Sequence, residues 1–158
     1  MQLRRKDREM DLDSAEKVLM KGSFGVLSVL GTDGFPYGIP VNYVVKDGYI
    51  FIHCAKEGKK LGDIAAYPKV SFTVVTRSEV LSGKFSTDFE SVVAFGEAVE
   101  YSGEDKGSIL FEFIRKYSSE YLDEGLQYVE RMKDATALIR VSIDRLSGKR
   151  RKGKGISE

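Results

Sequence analysis

Apolar positions recur with two different periods along this chain, and the switches between them divide it into elements. Ala15, Val18 and Leu19 fall three and four apart behind Asp13 and Glu16, which predicts a short helix opened by a capping box and ended between Gly22 and Gly25. Residues 24–30 form an apolar run of strand length, GTDGFP supplies turn residues, and 37–45 predicts a second strand. KDG then leads into a third, YIFIHCA, and an Asp-Gly pair between apolar runs is the strongest short hairpin signal. These three strands are expected to be antiparallel neighbours. Leu61, Ile64 and Ala65 predict a helix over 57–66 that ends before Pro68, and VSFTVVT predicts a strand over 70–76. Residues 77–90 show no period and read as a long loop. A strand follows over 91–101, with Gly96 marking a bulge or a close backbone approach. The stripe Ile109, Leu110, Phe113, Ile114, Tyr117 predicts a helix over 103–117, and 122–133 predicts another, weakened at Gly125. Alternation of Ala137, Ile139, Val141 and Ile143 with Thr136, Leu138, Arg140 and Ser142 predicts a last strand.

Six strands joined by hairpins, with helices set outside them, point to a mainly β fold with flanking helices, a closed antiparallel barrel over a doubly wound sheet. No GxGxxG or GxxxxGK[ST] loop is present, against a Rossmann or P-loop reading. A length of 158 residues, 42% of them hydrophobic, suits one domain. It is expected over 1–147, with 148–158 a basic, disordered C-terminal tail. Twenty-five basic residues against twenty-four acidic ones leave a formal charge of +1, so the bulk balance asks for no polyanionic partner. The single cysteine allows no internal disulfide, and no apolar run approaches the ~20 residues that span a bilayer. No signal-like segment opens the sequence, and a soluble cytoplasmic setting without membrane contact is expected.

The chemistry concentrates in FIHCAKEGKKL, residues 51–61, which holds the only histidine beside the only cysteine. Strand alternation sends Ile50, Ile52 and Cys54 to one face and Tyr49, Phe51, His53 and Ala55 to the other. His53 and Cys54 therefore cannot share a metal ion, and no metal site is expected. Cys54 reads as a small core residue. The opposite face places two aromatic rings and a histidine outside a small barrel, where a helix, a partner chain or a flat ligand must cover them. Gly58, Lys59 and Lys60 stand at the start of a short helix, a place that favours an anion. A flat ring beside an anionic tail describes a mononucleotide.

RRKDREM near the start, DGFPYGIPVNYV at 33–44, FIHCAKEGKKL at 51–61, YPKVSF at 67–72, SVVAFGEAV at 91–99 and LSGK at 146–149 occur in an order and at spacings that resemble the FMN-binding split barrels related to pyridoxamine 5'-phosphate oxidase. Within them the sequence is similar to the branch containing the 5-nitroimidazole resistance proteins. The resemblance implies a six-stranded antiparallel split β-barrel of Greek-key type that forms a homodimer, with FMN in clefts at the interface. It implies that Pro40, Val41, Asn42 and Tyr43 lie along the flavin ring, and that His53, Cys54, Ala55, Lys59 and Lys60 hold the phosphate end. Ser91 would begin a segment approaching the cofactor from a neighbouring strand or subunit. Many relatives carry serine where Cys54 stands here, which removes a hydroxyl contact and leaves the backbone contacts.

The function implied is that of an FMN-dependent oxidoreductase, nitroimidazole reductase-like, taking electrons from a small donor and passing them to a small aromatic acceptor such as a nitroaromatic. A non-catalytic flavin or haem carrier or sensor of the same fold is the alternative. No catalytic residue is identified. His53 titrates near neutrality, yet as a phosphate ligand or packing residue it would need no catalytic role. The tail GKRRKGKG can neutralise phosphates, but it lacks the interleaved aromatics of a single-strand platform, so nucleic acid is not an expected partner.

Overall fold

The computed structural model describes residues 5–152. A 3-10 turn at Lys6–Arg8 leads into α1 (Leu12–Lys21), and β1 (Gly25–Leu30), β2 (Pro36–Val41), β3 (Val44–Lys46) and β4 (Tyr49–Ala55) follow. Then come α2 (Lys59–Ala66), β5 (Lys69–Leu81), a 3-10 turn at Ser82–Lys84, β6 (Ser86–Tyr101), α3 (Lys106–Tyr117), α4 (Leu122–Met132), β7 (Thr136–Val141) and β8 (Arg145–Arg151). The cap of α1 lies two residues earlier than the capping box predicts: the Asp11 carboxylate accepts from the Ser14 amide at 2.8 Å and from its hydroxyl.

All neighbouring strands are antiparallel, in the order β2-β1-β5-β6-β7-β4-β3, with β8 paired to β6 beside β7. The two ends of this path, β2 and β3, are joined in sequence by Asn42 and Tyr43 alone. The three steps from Val41 to Val44 reach only about 11 Å, so the sheet must curl until its edges nearly meet. They are bridged by covalent chain and by no ladder among the described residues, and the barrel is therefore split, as the resemblance implies, and not closed as the hairpin pattern alone suggests. The predicted strand 37–45 accordingly breaks in two: β2 pairs with β1, and β3 pairs with β4. At the break both backbone groups of Tyr43 have partners. The Tyr43 amide donates to the Tyr117 hydroxyl at 3.0 Å, and the Tyr43 carbonyl accepts from that hydroxyl at 2.7 Å and from Lys116 Nζ at 3.0 Å.

The described residues form eight strands, not six. Besides the split of 37–45, β8 was not anticipated because RLSGKRR lacks the β-branched and aromatic residues that mark strands. It is held by seven paired positions along β6, from Phe89↔Arg151 to Phe95↔Arg145. Gly148 to Arg151 of the expected tail thus belong to the sheet, and residues 153–158 lie outside the described part. The predicted loop 77–90 is instead the outer half of a hairpin, since β5 and β6 stay paired from Lys69↔Glu97 to Leu81↔Ser86 with one irregularity between Val75 and Arg77. Its alternation is hidden because this half is largely exposed on both faces. The Asp47-Gly48 turn has positive φ at both residues, 51° and 78°, as a type I′ hairpin requires.

Two cores result. The inward faces of β1, β4, β5, β6 and β7 meet α1 and α2 around Leu27, Ile50, Ile52, Phe72, Val74, Val92 and Ile139. Outside the sheet, Val44, Phe51 and Leu138 pack against Ile109, Leu110 and Phe113 of α3 and Val129 of α4. Gly96 is a close approach of backbones, because a Cβ there would overlap the Ser142 carbonyl oxygen. No helix is long and apolar enough to cross a membrane among the described residues.

Candidate functional site

β4 separates the two faces as its alternation requires. Ile50 and Ile52 are fully buried in the inner core with Cys54 packed at its edge, while Tyr49 and Phe51 lie in the outer cluster under α3. The aromatic face is thus covered by this chain's own helices, with Phe51 only 4% exposed. The His53 ring meets the Phe113 ring edge-on at 4.7 Å and lines a small cavity with Tyr128, Met132 and Thr136. Burial first, and the charge of Lys60 second, hold the His53 pKa below its ordinary value.

The end of β4, the turn after it and β2 enclose a different cavity of about 240 Å3. Cys54, Ala55, Gly58, Lys59 and Lys60 line it from one side and Tyr37 and Ile39 from the other. Gly58 adopts φ 137°, a left-handed conformation that turns the chain from β4 into α2. Burial raises the pKa of the Cys54 thiol; the nearby Lys60 ammonium acts in the opposite direction and Glu100 adds to the rise. The thiol is therefore protonated at neutral pH and serves as a small, weakly polar wall.

The two lysines differ in what they can offer an anion. Lys59 Nζ sits 3.0 Å from the Asp63 carboxylate and 3.3 Å from Asp33, and lies 5.7 Å from the centre of the Tyr37 ring. Asp63 is 1% exposed and also accepts from the Thr32 amide at 2.9 Å and the Thr32 hydroxyl at 3.0 Å. The Thr32 amide, followed by Lys59 and the Thr32 hydroxyl, keeps its pKa below the usual carboxylate value. Lys59 is thereby the cation of a structural knot that ties the β1–β2 turn to α2. Lys60 forms no ion pair among the described residues and stands half-buried beside Cys54.

The remaining candidate residues are dispersed. Pro40 is exposed on the opposite face of β2 from Tyr37 and Ile39, and Val41 packs on the inner core. Asn42 Nδ2 donates to the Ser23 carbonyl at 3.1 Å, and Tyr43 is fully buried with its hydroxyl donating to the Leu19 carbonyl. Ser91 lies in mid-sheet between Val75 and Lys149 and does not line the cavity. Tyr37 and Ile39 went unnoticed in the sequence, although their two-residue spacing along a predicted strand places them on one face. The Lys59–Asp63 pair also left a signal, an i,i+4 spacing of opposite charges on a helix. Among the described residues no group of histidine, cysteine and carboxylate side chains could hold a metal ion.

Comparison with known proteins adds three solved structures of the same fold. A conserved hypothetical protein of Mycobacterium tuberculosis is 18% identical, with 99% of this chain and 98% of that one covered and a TM-score of 0.82. An FAD and haem binding protein of Mycobacterium smegmatis is 16% identical over 96% of this chain and 77% of that one, with a TM-score of 0.77. A candidate 5-nitroimidazole antibiotic resistance protein of Bacteroides thetaiotaomicron is 19% identical over 89% and 85%, with a TM-score of 0.71. No curated protein matches the chain. A family model described as pyridoxamine 5'-phosphate oxidase matches residues 11–150.

Proposed function

The chain belongs to the pyridoxamine 5'-phosphate oxidase family, and from that membership and the cavity beside Lys60 we propose that it binds FMN and works as a flavin-dependent oxidoreductase. The observation that carries this reading is the meeting of a half-buried ammonium, without an ion pair among the described residues, with the turn after β4 and the Tyr37 ring around one cavity. Lys60 would give the phosphate a charge-assisted bond, and the backbone at Cys54 and Ala55 would border it. Tyr37 and Ile39 offer an aromatic and aliphatic wall to the part of the ligand beyond the phosphate.

The residues present fit the phosphate end of the group better than its ring. About 240 Å3 falls short of the roughly 300–1,000 Å3 typical of a cavity that encloses such a ligand. A further wall is needed, and the reading assigns it to a second copy of the chain in a homodimer. Tyr37, which lines the cavity, and Phe35, 73% exposed two residues before it, would be covered by it.

When bound, the flavin supplies hydride or electron transfer, here to a small aromatic acceptor such as a nitroaromatic. The chain's own residues bind and orient it, and His53, held on the other face of β4 against Phe113, does not line the cavity. A cytoplasmic setting is part of the same reading, supported by the lone cysteine, which no internal disulfide occupies.

The visible absorbance spectrum of the purified protein, with release and identification of any chromophore, tests the cofactor. A protein that is colourless and takes up no added FMN would remove the proposal. Steady oxidation of a nicotinamide donor with a nitroaromatic acceptor is expected of an oxidoreductase, whereas bound FMN that no donor reduces points to a carrier. Sedimentation at low concentration should show a dimer, and a flavin-loaded monomer would contradict the shared wall.

A further inference from the structure

The basic run beginning at Gly148 has no role in the flavin reading, yet the fold gives it a definite place. β8 carries Arg150 and Arg151 alongside β6, where they meet Lys21 at the end of α1 and Arg77 on β5 around a second cavity of about 240 Å3. Lys152 and the Phe89 ring also line it. None of these residues lines the cavity at Lys60.

Like charges gathered in a concave site repel one another unless carboxylates or a ligand offset them. Three carboxylates answer here. Glu90 accepts from Arg150 Nε at 2.7 Å, the buried Asp88 from Arg151 Nη1 at 2.8 Å, and Glu79 from Arg77 Nη2 at 2.6 Å. Lys21 has no ion pair among the described residues, although its charge is felt at Glu90. Even leaving Lys152 aside, four cations face three carboxylates among the described residues, and Arg8, over the Phe89 ring at 5.9 Å, adds positive charge to the same wall.

The geometry of Arg150 is more telling than the count. Glu90, itself fixed by the Thr76 hydroxyl at 2.7 Å, takes only the Nε of the guanidinium. Both terminal nitrogens of that fork are left without a protein acceptor among the described residues. A guanidinium oriented by one carboxylate, with two parallel N–H groups to spare and an ammonium close by, has the form of a phosphate receptor.

We propose that this cavity binds the phosphate or pyrophosphate group of a small molecule, held by the fork of Arg150 and the ammonium of Lys21. The anion offsets the surplus charge that the fold concentrates there. A free inorganic anion and a nucleotide present the same chemistry to these groups. The proposal stands on this cavity alone and does not depend on flavin binding.

Calorimetric titration of the full chain with inorganic pyrophosphate at low ionic strength tests it. Saturable binding of one anion per chain beyond any held at Lys60 is expected, weakening as salt is added. Lys21→Glu, a change at an exposed position, should weaken it at least about tenfold, the order of one charge-assisted contact. Arg150→Lys, which keeps the charge and loses the fork, should also weaken it, while Lys60→Glu should leave it unchanged. Circular dichroism and thermal melting establish that each variant is folded. ADP binding more tightly than pyrophosphate would identify a nucleotide, and equal affinities the anion itself. Absence of saturable binding, loss in Lys60→Glu without loss in Lys21→Glu, or binding of an oligonucleotide but not of pyrophosphate would each overturn the proposal.

Discussion

Lys116 Nζ lies 3.9 Å from the centre of the Tyr43 ring and donates to the Tyr43 carbonyl at 3.0 Å, and it forms no ion pair among the described residues. This ammonium holds the break between β2 and β3, and burial lowers its pKa from 10.5 to about 8. A folded-state pKa below the unfolded one means that the unfolded chain binds more protons between those values, so this group adds stability as pH rises through the window. The wild type should therefore gain on Lys116→Met from about pH 8 to pH 10.5. Urea midpoints of the pair at several pH values measure this, and a constant difference between them would refute it.

Lys59 and Lys60 are adjacent in sequence and should respond to different assays. Lys60→Ala is expected to weaken FMN binding about tenfold, the scale of a lost charge-assisted contact, with little change in melting temperature. Lys59→Ala should lower the melting temperature by several degrees, because it leaves the buried Asp63 carboxylate without its cation. Fluorescence titration and thermal melting of both variants distinguish these roles.

Asp63 gives the acid limb of the stability profile a specific contributor. Its folded pKa is depressed below 3.8, so its contribution is complete above that value and is lost as pH falls through the lower, folded one. Asp63→Asn should reduce stability at neutral pH and flatten the acid limb. A limb as steep as that of the wild type would exclude Asp63 as its source.

Gly96→Ala should be among the most damaging single changes, since the new methyl would overlap the Ser142 carbonyl where the chain leaves β7. A loss of more than about 3 kcal/mol is expected. Denaturant unfolding checks it, and a near-neutral variant would show that the two backbones separate easily.

Phe51→Ala removes a ring that is 4% exposed beneath α3 and should cost about 3–5 kcal/mol. Because this face is occupied by helices, FMN affinity of the folded fraction should stay as it is. A selective loss of affinity would instead place the ligand on the outer face of β4.

Legibility in the sequence followed the strength of the periodic signal. β4 was readable on both faces, since seven residues with strict alternation separate Ile50 and Ile52 from Tyr49 and Phe51. The helices α3 and α4 were readable for the same reason, and a helix was one of the covers expected for the face of Phe51. β8 and the outer half of the β5–β6 hairpin were illegible because their pairing is set by partners distant in sequence, which override weak local propensity. The residues of FIHCAKEGKKL drew notice by composition, although composition could not show that Lys59 is bound to Asp33 and Asp63 while Lys60 is not.

The sequence by itself determined which segments bury which residues, because side-chain alternation and helical spacing are local consequences of backbone geometry. It determined the mainly antiparallel class and the family likeness, which rest on motifs in order. Only the tertiary structure decided where the sheet splits, since that depends on Tyr117 and Lys116 supplying the hydrogen bonds that a strand would otherwise make to Tyr43. It alone decided that a run of basic residues becomes a wall of a cavity, because Arg150 faces Lys21 only once β8 has paired with β6. Charge and hydrogen-bonding capacity are written in the chain, but whether they are satisfied depends on contacts between residues far apart along it.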